Sequence, residues 1–273
     1  MNQRPAWSSA FDAEALPTVE RIGPPEQITR EWAWGGSTGE GVKVAVIDSG
    51  VDADHPAVGG RIAYAAMVDH GDDEIEVDTA PHTDDFGHGT ACAGIIRSLA
   101  PDCEITSVKV LGAGLSGRGA VFAAGLRWAI ENGMQVCNLS LGTTKRDFYA
   151  LLHELVDEAY FRDVVLVTAA NNMPLPSFPS TYSSVISVAS HDVPNPDVYY
   201  CNPRPPVELG AFGIDVRVPW LNGEWITATG NSFATPHITG LVARLLAKHP
   251  GLSVVHVKGI LRALADNVVD APA

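Results

Sequence analysis

The stretch GVKVAVIDSGVD, residues 41–52, decides how this chain folds. From Val42 to Ile47 only Lys43 interrupts an apolar run of strand length. A strand with no polar alternation is one buried on both faces, as in a parallel sheet covered by helices. Asp48 closes the run and Gly50 breaks it. In open parallel sheets, reactive groups gather beyond the carboxyl ends of the strands, so Asp48 stands where a functional carboxylate belongs. Working outward, further strand-like runs fall at 105–111, 136–141, 164–168 and 185–188. Helix-length patterns fall between and after them, at 90–98, 120–132, 148–161, 232–248 and 254–265. The alternation predicts an α/β fold of three layers, αβα, with a mainly parallel central sheet.

Two more segments each place one reactive side chain at the start of a helical pattern. His88 lies in GHGTACAG, residues 87–94, and Ser232 in TGNSFATPHITG, residues 229–240. A serine hydroxyl becomes nucleophilic when an imidazole accepts its proton, and the imidazole needs a carboxylate to hold its tautomer. Each residue alone has an ordinary reading, as a strand-end carboxylate or a helix cap. Asp, His and Ser in this chain order match one of the known convergent triads.

With these three segments, from about Pro25 to about Asn267, the chain resembles a subtilase, a serine peptidase of the subtilisin family, of a compact intracellular type. The resemblance implies a subtilisin-like fold over residues 25–273 and a catalytic triad of Asp48, His88 and Ser232. It implies that Asn171, in the string TAANN, donates to the oxyanion together with the Ser232 backbone amide. Substrate in this family lies as an added strand between two backbone segments. Here those are Gly114, Leu115, Ser116 and Gly117 on one side and Ser140, Leu141 and Gly142 on the other. A primary specificity pocket is implied between Ser140–Thr143 and the segment Thr168, Ala169, Ala170 and Asn171, with Phe178 at its rim. Two departures from the family pattern, Ala91 for a second His and Asn231 for Thr, remove no catalytic group.

The bulk composition narrows the partners. The chain has 273 residues, 46% of them hydrophobic, and 18 basic against 32 acidic residues give a net charge of −14. Such a surface repels nucleic acid and anionic membranes, so a peptide or protein substrate is the expected partner. The sequence does not set an oligomeric state. No apolar run approaches the roughly 20 residues that cross a bilayer, and the N-terminus lacks the apolar core of a signal peptide. Four widely spaced cysteines, Cys92, Cys103, Cys137 and Cys201, read as free thiols in a reducing compartment, which places the protein in the cytoplasm. No cofactor is required. The calcium loop that many subtilases carry after the catalytic-His helix is missing near Ile95, so structural calcium is not supported.

Residues 1–24 read as an extension outside the core, either a short inhibitory segment or a disordered tail. Residues 69–85, DHGDDEIEVDTAPHTDD, hold eight carboxylates and read as a solvated acidic loop. Its place ahead of His88 raises the expectation that Asp84 and Asp85 favour substrates with Lys or Arg. Three functions compete at this point. The first is a serine endopeptidase, for which processing of a precursor is one role. The second is a peptide cyclase or ligase resolving the same acyl-enzyme with an amine, and the third is an inactive module that binds peptides.

Overall fold

The run that opens at Val42 forms β1 (Lys43–Asp48), and its side chains alternate between two separate cores. Val44 and Val46 enter one core, while Ala45 and Ile47 enter the other. Burial on both faces is therefore literal, and it explains the missing polar alternation. The protein is described by a computed structural model over residues 28–71 and 74–269. The extension at residues 1–24 lies outside the described residues.

In chain order the strands after β1 are β2 (Ile62–Asp69), β3 (Ile75–Asp78), β4 (Glu104–Lys109), β5 (Val136–Leu139), β6 (Val165–Ala169), β7 (Ile186–His191), β8 (Tyr199–Cys201) and β9 (Leu209–Phe212). They form one sheet in the order β3-β2-β4-β1-β5-β6-β7-β9-β8. Every pairing from β2 across to β9 is parallel, and one antiparallel strand closes each edge. A separate antiparallel hairpin pairs β10 (Val216–Pro219) with β11 (Trp225–Ala228).

Among the described residues six α-helices cover the sheet: α1 (Arg30–Trp34), α2 (His88–Leu99), α3 (Gly119–Glu131), α4 (Tyr149–Phe161), α5 (Asn231–Lys248) and α6 (Val254–Ala263). Residues of α1, α2, α5 and α6 share a core with Val44 and Val46, and residues of α3 and α4 share the opposite one. The chain is thus an αβα sandwich. Central α5 is buried along most of its length, and Gly240 lets it approach α2, because a Cβ there would press on the Leu99 side chain.

The five strands and five helices read from the sequence all form. The structure adds α1, the edge strands β3 and β8 with their neighbours β2 and β9, and the β10–β11 hairpin. Part of the acidic segment is ordered sheet, since β3 spans Ile75–Asp78 and pairs with β2. Its apolar and polar residues alternate, but four positions within an acidic run are too few for the pattern to stand out.

Candidate active site

Asp48 ends β1 and is fully buried. Its carboxylate accepts the Ser49 amide at 2.8 Å and faces His88, whose Nδ1 lies 2.8 and 2.9 Å from the two oxygens. An imidazole held in this way carries its proton on Nδ1 and leaves Nε2 free to accept one. His88 opens α2 and is 5% exposed. Burial pushes its pKa down, but the charge and hydrogen bond of Asp48, with a contribution from Asp84, outweigh that and hold it above the ordinary histidine value. Close docking of α2 on the turn after β1 requires Gly89, because a Cβ there would collide with the Gly50 carbonyl.

Asp84 corrects the reading of the acidic segment. It is 4% exposed, with no side chain free to meet a substrate. Its carboxylate accepts from the hydroxyl of Ser49 at 2.8 Å, the amides of Phe86, Gly87 and Thr90 at 2.9, 2.8 and 2.8 Å, and the Thr90 hydroxyl at 2.7 Å. Ser49 belongs to the turn after β1, and the other donors to the turn that delivers His88 and to the first turn of α2, where backbone amides lack intrahelical acceptors. Asp84→Ala should therefore cost about 2–5 kcal/mol, since several buried donors lose a charged acceptor. A thermal melt is expected to fall by roughly 5–15 °C. An unchanged melt would return Asp84 to a surface role. Asp85 is also engaged, 2.8 Å from Lys109 Nζ.

Ser232 sits in the first turn of α5, at the positive end of the helix dipole. Pro236 has no amide to offer the Ser232 carbonyl four residues earlier. That carbonyl instead accepts from Ser140 Oγ at 2.8 Å and from Cys92 Sγ at 3.7 Å. Asn138 Nδ2 donates to Ser140 Oγ at 3.0 Å, and Thr239 donates to Asn138 Oδ1 at 2.9 Å, so the Ser232 turn is tied to β5. The Ser232 hydroxyl itself donates to the Ser140 carbonyl at 3.1 Å and not to His88. Ser232 and His88 nevertheless line one cleft of about 340 Å³.

Asn231, just before Ser232, fastens the same turn to two strand ends. Its Nδ2 donates to the carbonyls of Ala170 and Asn171 at 3.1 and 3.2 Å, and its Oδ1 accepts from the Ser190 amide at 2.9 Å. The two adjacent asparagines after β6 part company here. Asn171 Oδ1 accepts from Met173 N at 2.9 Å and closes a local turn. Asn172 Oδ1 accepts from Asn231 N at 2.9 Å, which places its amide beside the Ser232 turn. The sequence names Asn171 for the oxyanion role, and the pairing NN offers no way to choose between the two neighbours.

The sequence model of the Subtilase family matches residues 39–272. The chain belongs to the subtilase family. It is 33% identical over 260 residues to the minor extracellular protease Epr of Bacillus subtilis (strain 168), covering 90% of this chain but 38% of that protein. It is 34% identical to subtilisin Savinase of Lederbergia lenta, covering 85% of this chain and 86% of the relative. It is similar to the crystal structure of a cold adapted subtilisin-like serine proteinase, with a TM-score of 0.70, 29% identity and coverage of 84% and 83%.

In this subtilase, Leu115, Ser116, Gly117, Ser140, Leu141, Gly142 and Thr143 line the cleft beside His88 and Ser232, and Gly114 adjoins them in sequence. Thr143 and Phe178 exchange two backbone hydrogen bonds of 2.9 and 2.8 Å. Thr168, Ala169, Ala170 and Phe178 are not among the cleft residues; Thr168 is fully buried, with its hydroxyl unpartnered. Asp48, His88 and Cys92 place one potential metal-ligand atom each within 4.8 Å of one another. The carboxylate and imidazole already bind each other, and burial holds the Cys92 thiol protonated, well above its ordinary pKa. Among the described residues no helix is long and apolar enough to cross a membrane, and the four cysteines are free and buried.

Proposed function

We propose that this subtilase, over a peptidase domain at residues 25–273, is a serine endopeptidase that hydrolyses extended peptide or protein substrates through Asp48, His88 and Ser232. The observation that carries the reading is the contact of His88 Nδ1 with both oxygens of buried Asp48, behind an imidazole that lines the same cleft as Ser232. Substrate entry turns the Ser232 hydroxyl from the Ser140 carbonyl toward His88 Nε2, which takes its proton as Oγ attacks. Apo hydroxyls commonly rest off the productive line, so the observed rotamer fits this role. The imidazolium that forms is stabilised by Asp48 and then protonates the leaving amine. Water, activated by the same imidazole, releases the acyl group.

The developing oxyanion meets the Ser232 amide and a side-chain amide from the pair Asn171–Asn172. The hydrogen bond of Asn172 to the nucleophile turn favours Asn172, whose Oδ1 is held while its Nδ2 stays available. Asn172→Ala should lower kcat roughly 100- to 1,000-fold with little change in KM, the loss that subtilisin itself shows without its oxyanion asparagine. Asn171→Ala should cost far less. Steady-state kinetics on both variants decide, and the reverse ranking restores Asn171.

A fluorophosphonate probe tests the reading directly, with labelling expected at Ser232. Product masses separate hydrolysis from ligation, since a cyclic product is lighter by one water. Processing of a precursor in the cytoplasm fits the four buried thiols, whereas the name of Epr places that relative outside the cell. No metal takes part in the steps above. A chelator is expected to leave the melting temperature within a few degrees, and a fall above about 10 °C would reveal a structural cation.

A further inference from the structure

The cleft that holds His88 and Ser232 is lined by two cations, Arg118 and Lys145, and by no carboxylate. That is a local inversion in a chain with 32 acidic and 18 basic residues. Leu111, Leu115, Phe122 and Leu141 supply its apolar lining. Of the acidic segment's carboxylates, Asp69 neutralises Arg118, and the two nearest His88 are engaged elsewhere. Asp84 is buried in its own hydrogen bonds, Asp85 pairs with Lys109, and Asp69 accepts two bonds of 2.9 Å from Arg118. Lys145 is exposed, and its backbone amide is tied to Thr143 Oγ1 at 3.1 Å. Among the described residues no carboxylate pairs with its ammonium.

We infer that the cleft selects peptides carrying Asp or Glu beside an apolar residue, with Lys145 the specificity-determining side chain. The inference rests on the peptidase reading above. An apolar side chain seats on the leucine and phenylalanine lining, and a neighbouring carboxylate then lies within reach of Lys145. Arg118 is committed to its ion pair with Asp69, so Lys145 carries the preference. This preference is opposite in sign to the one expected from the acidic segment.

The size follows from exposure. An exposed ion pair is a weak interaction, so a preference of roughly 1.5-fold to fivefold is expected, and it is screened by salt. The test uses the full chain and a matched peptide series with a fixed apolar anchor. One position is walked as Glu, Gln or Lys along both sides of the cut. kcat/KM ratios within each variant cancel any general loss of activity. The wild type should favour Glu over Gln, and Gln over Lys, at one or two adjacent positions at low ionic strength. The preference should shrink at high ionic strength, and Lys145→Glu should reverse its order. Equal cleavage of all three peptides, or a ratio untouched by Lys145→Glu, overturns the inference while fluorophosphonate labelling of Ser232 leaves the peptidase reading standing. Absence of both labelling and cleavage overturns the peptidase reading and this inference with it.

Discussion

Ser232→Ala is expected to lower kcat by about a millionfold, the loss that subtilisin itself suffers without its nucleophile. On the proposed mechanism the hydroxyl oxygen is the atom that receives the acyl group. What remains after its removal is binding and oxyanion stabilisation, which still accelerate hydrolysis about 10³- to 10⁴-fold over water. His88→Ala should cost nearly as much, and the double variant little more, because the two residues act as one unit. The fold should survive, since the hydroxyl makes a single bond to the Ser140 carbonyl while the turn is held by Asn231, Ser140 and Cys92. Turnover measured beside a thermal melt checks both halves. Full activity in Ser232→Ala, or labelling of another serine, would remove Ser232 from the mechanism.

What could be read in advance divides along burial. Strand β1 is legible because both of its faces are buried, so every residue from Val44 to Ile47 is apolar. Helix α5 is legible because a glycine turn precedes a long apolar stretch. Strand β3 is not, because it is an edge whose four residues are half-buried or exposed. The same logic governs the site. Asp48, His88 and Ser232 each follow a strand or open a helix, and such positions are recoverable from pattern. Asn172 and Asp84 depend on where a side chain turns after the element ends. Neighbouring Asn171 and Asn172 have the same chemistry in sequence and different partners in space. Asp84 looked like one carboxylate among eight, although an Asp just ahead of a helix start is also a capping signal.

Asp48→Asn should lower kcat about 10⁴-fold at neutral pH and move the acidic limb of the rate profile downward. The first effect is one of tautomer. In the wild type both carboxylate oxygens accept from His88 Nδ1–H, leaving Nε2 as the base. An amide at position 48 presents a donor to Nδ1, which favours a proton on Nε2 and leaves nothing there to accept from Ser232. The second effect is one of charge. Burial opposes the imidazolium, and the Asp48 carboxylate is the largest influence that opposes burial. With the charge gone, burial prevails and the His88 pKa falls below its wild-type position. Catalysis requires neutral His88, so activity rises as pH passes its pKa; the wild-type limb lies above the ordinary histidine value and the variant limb lies lower. kcat/KM measured against pH for both proteins reads the two effects separately, one as height and one as position. A variant limb that stayed in place, or moved upward, would mean that the group titrating in the wild type is not the His88–Asp48 pair.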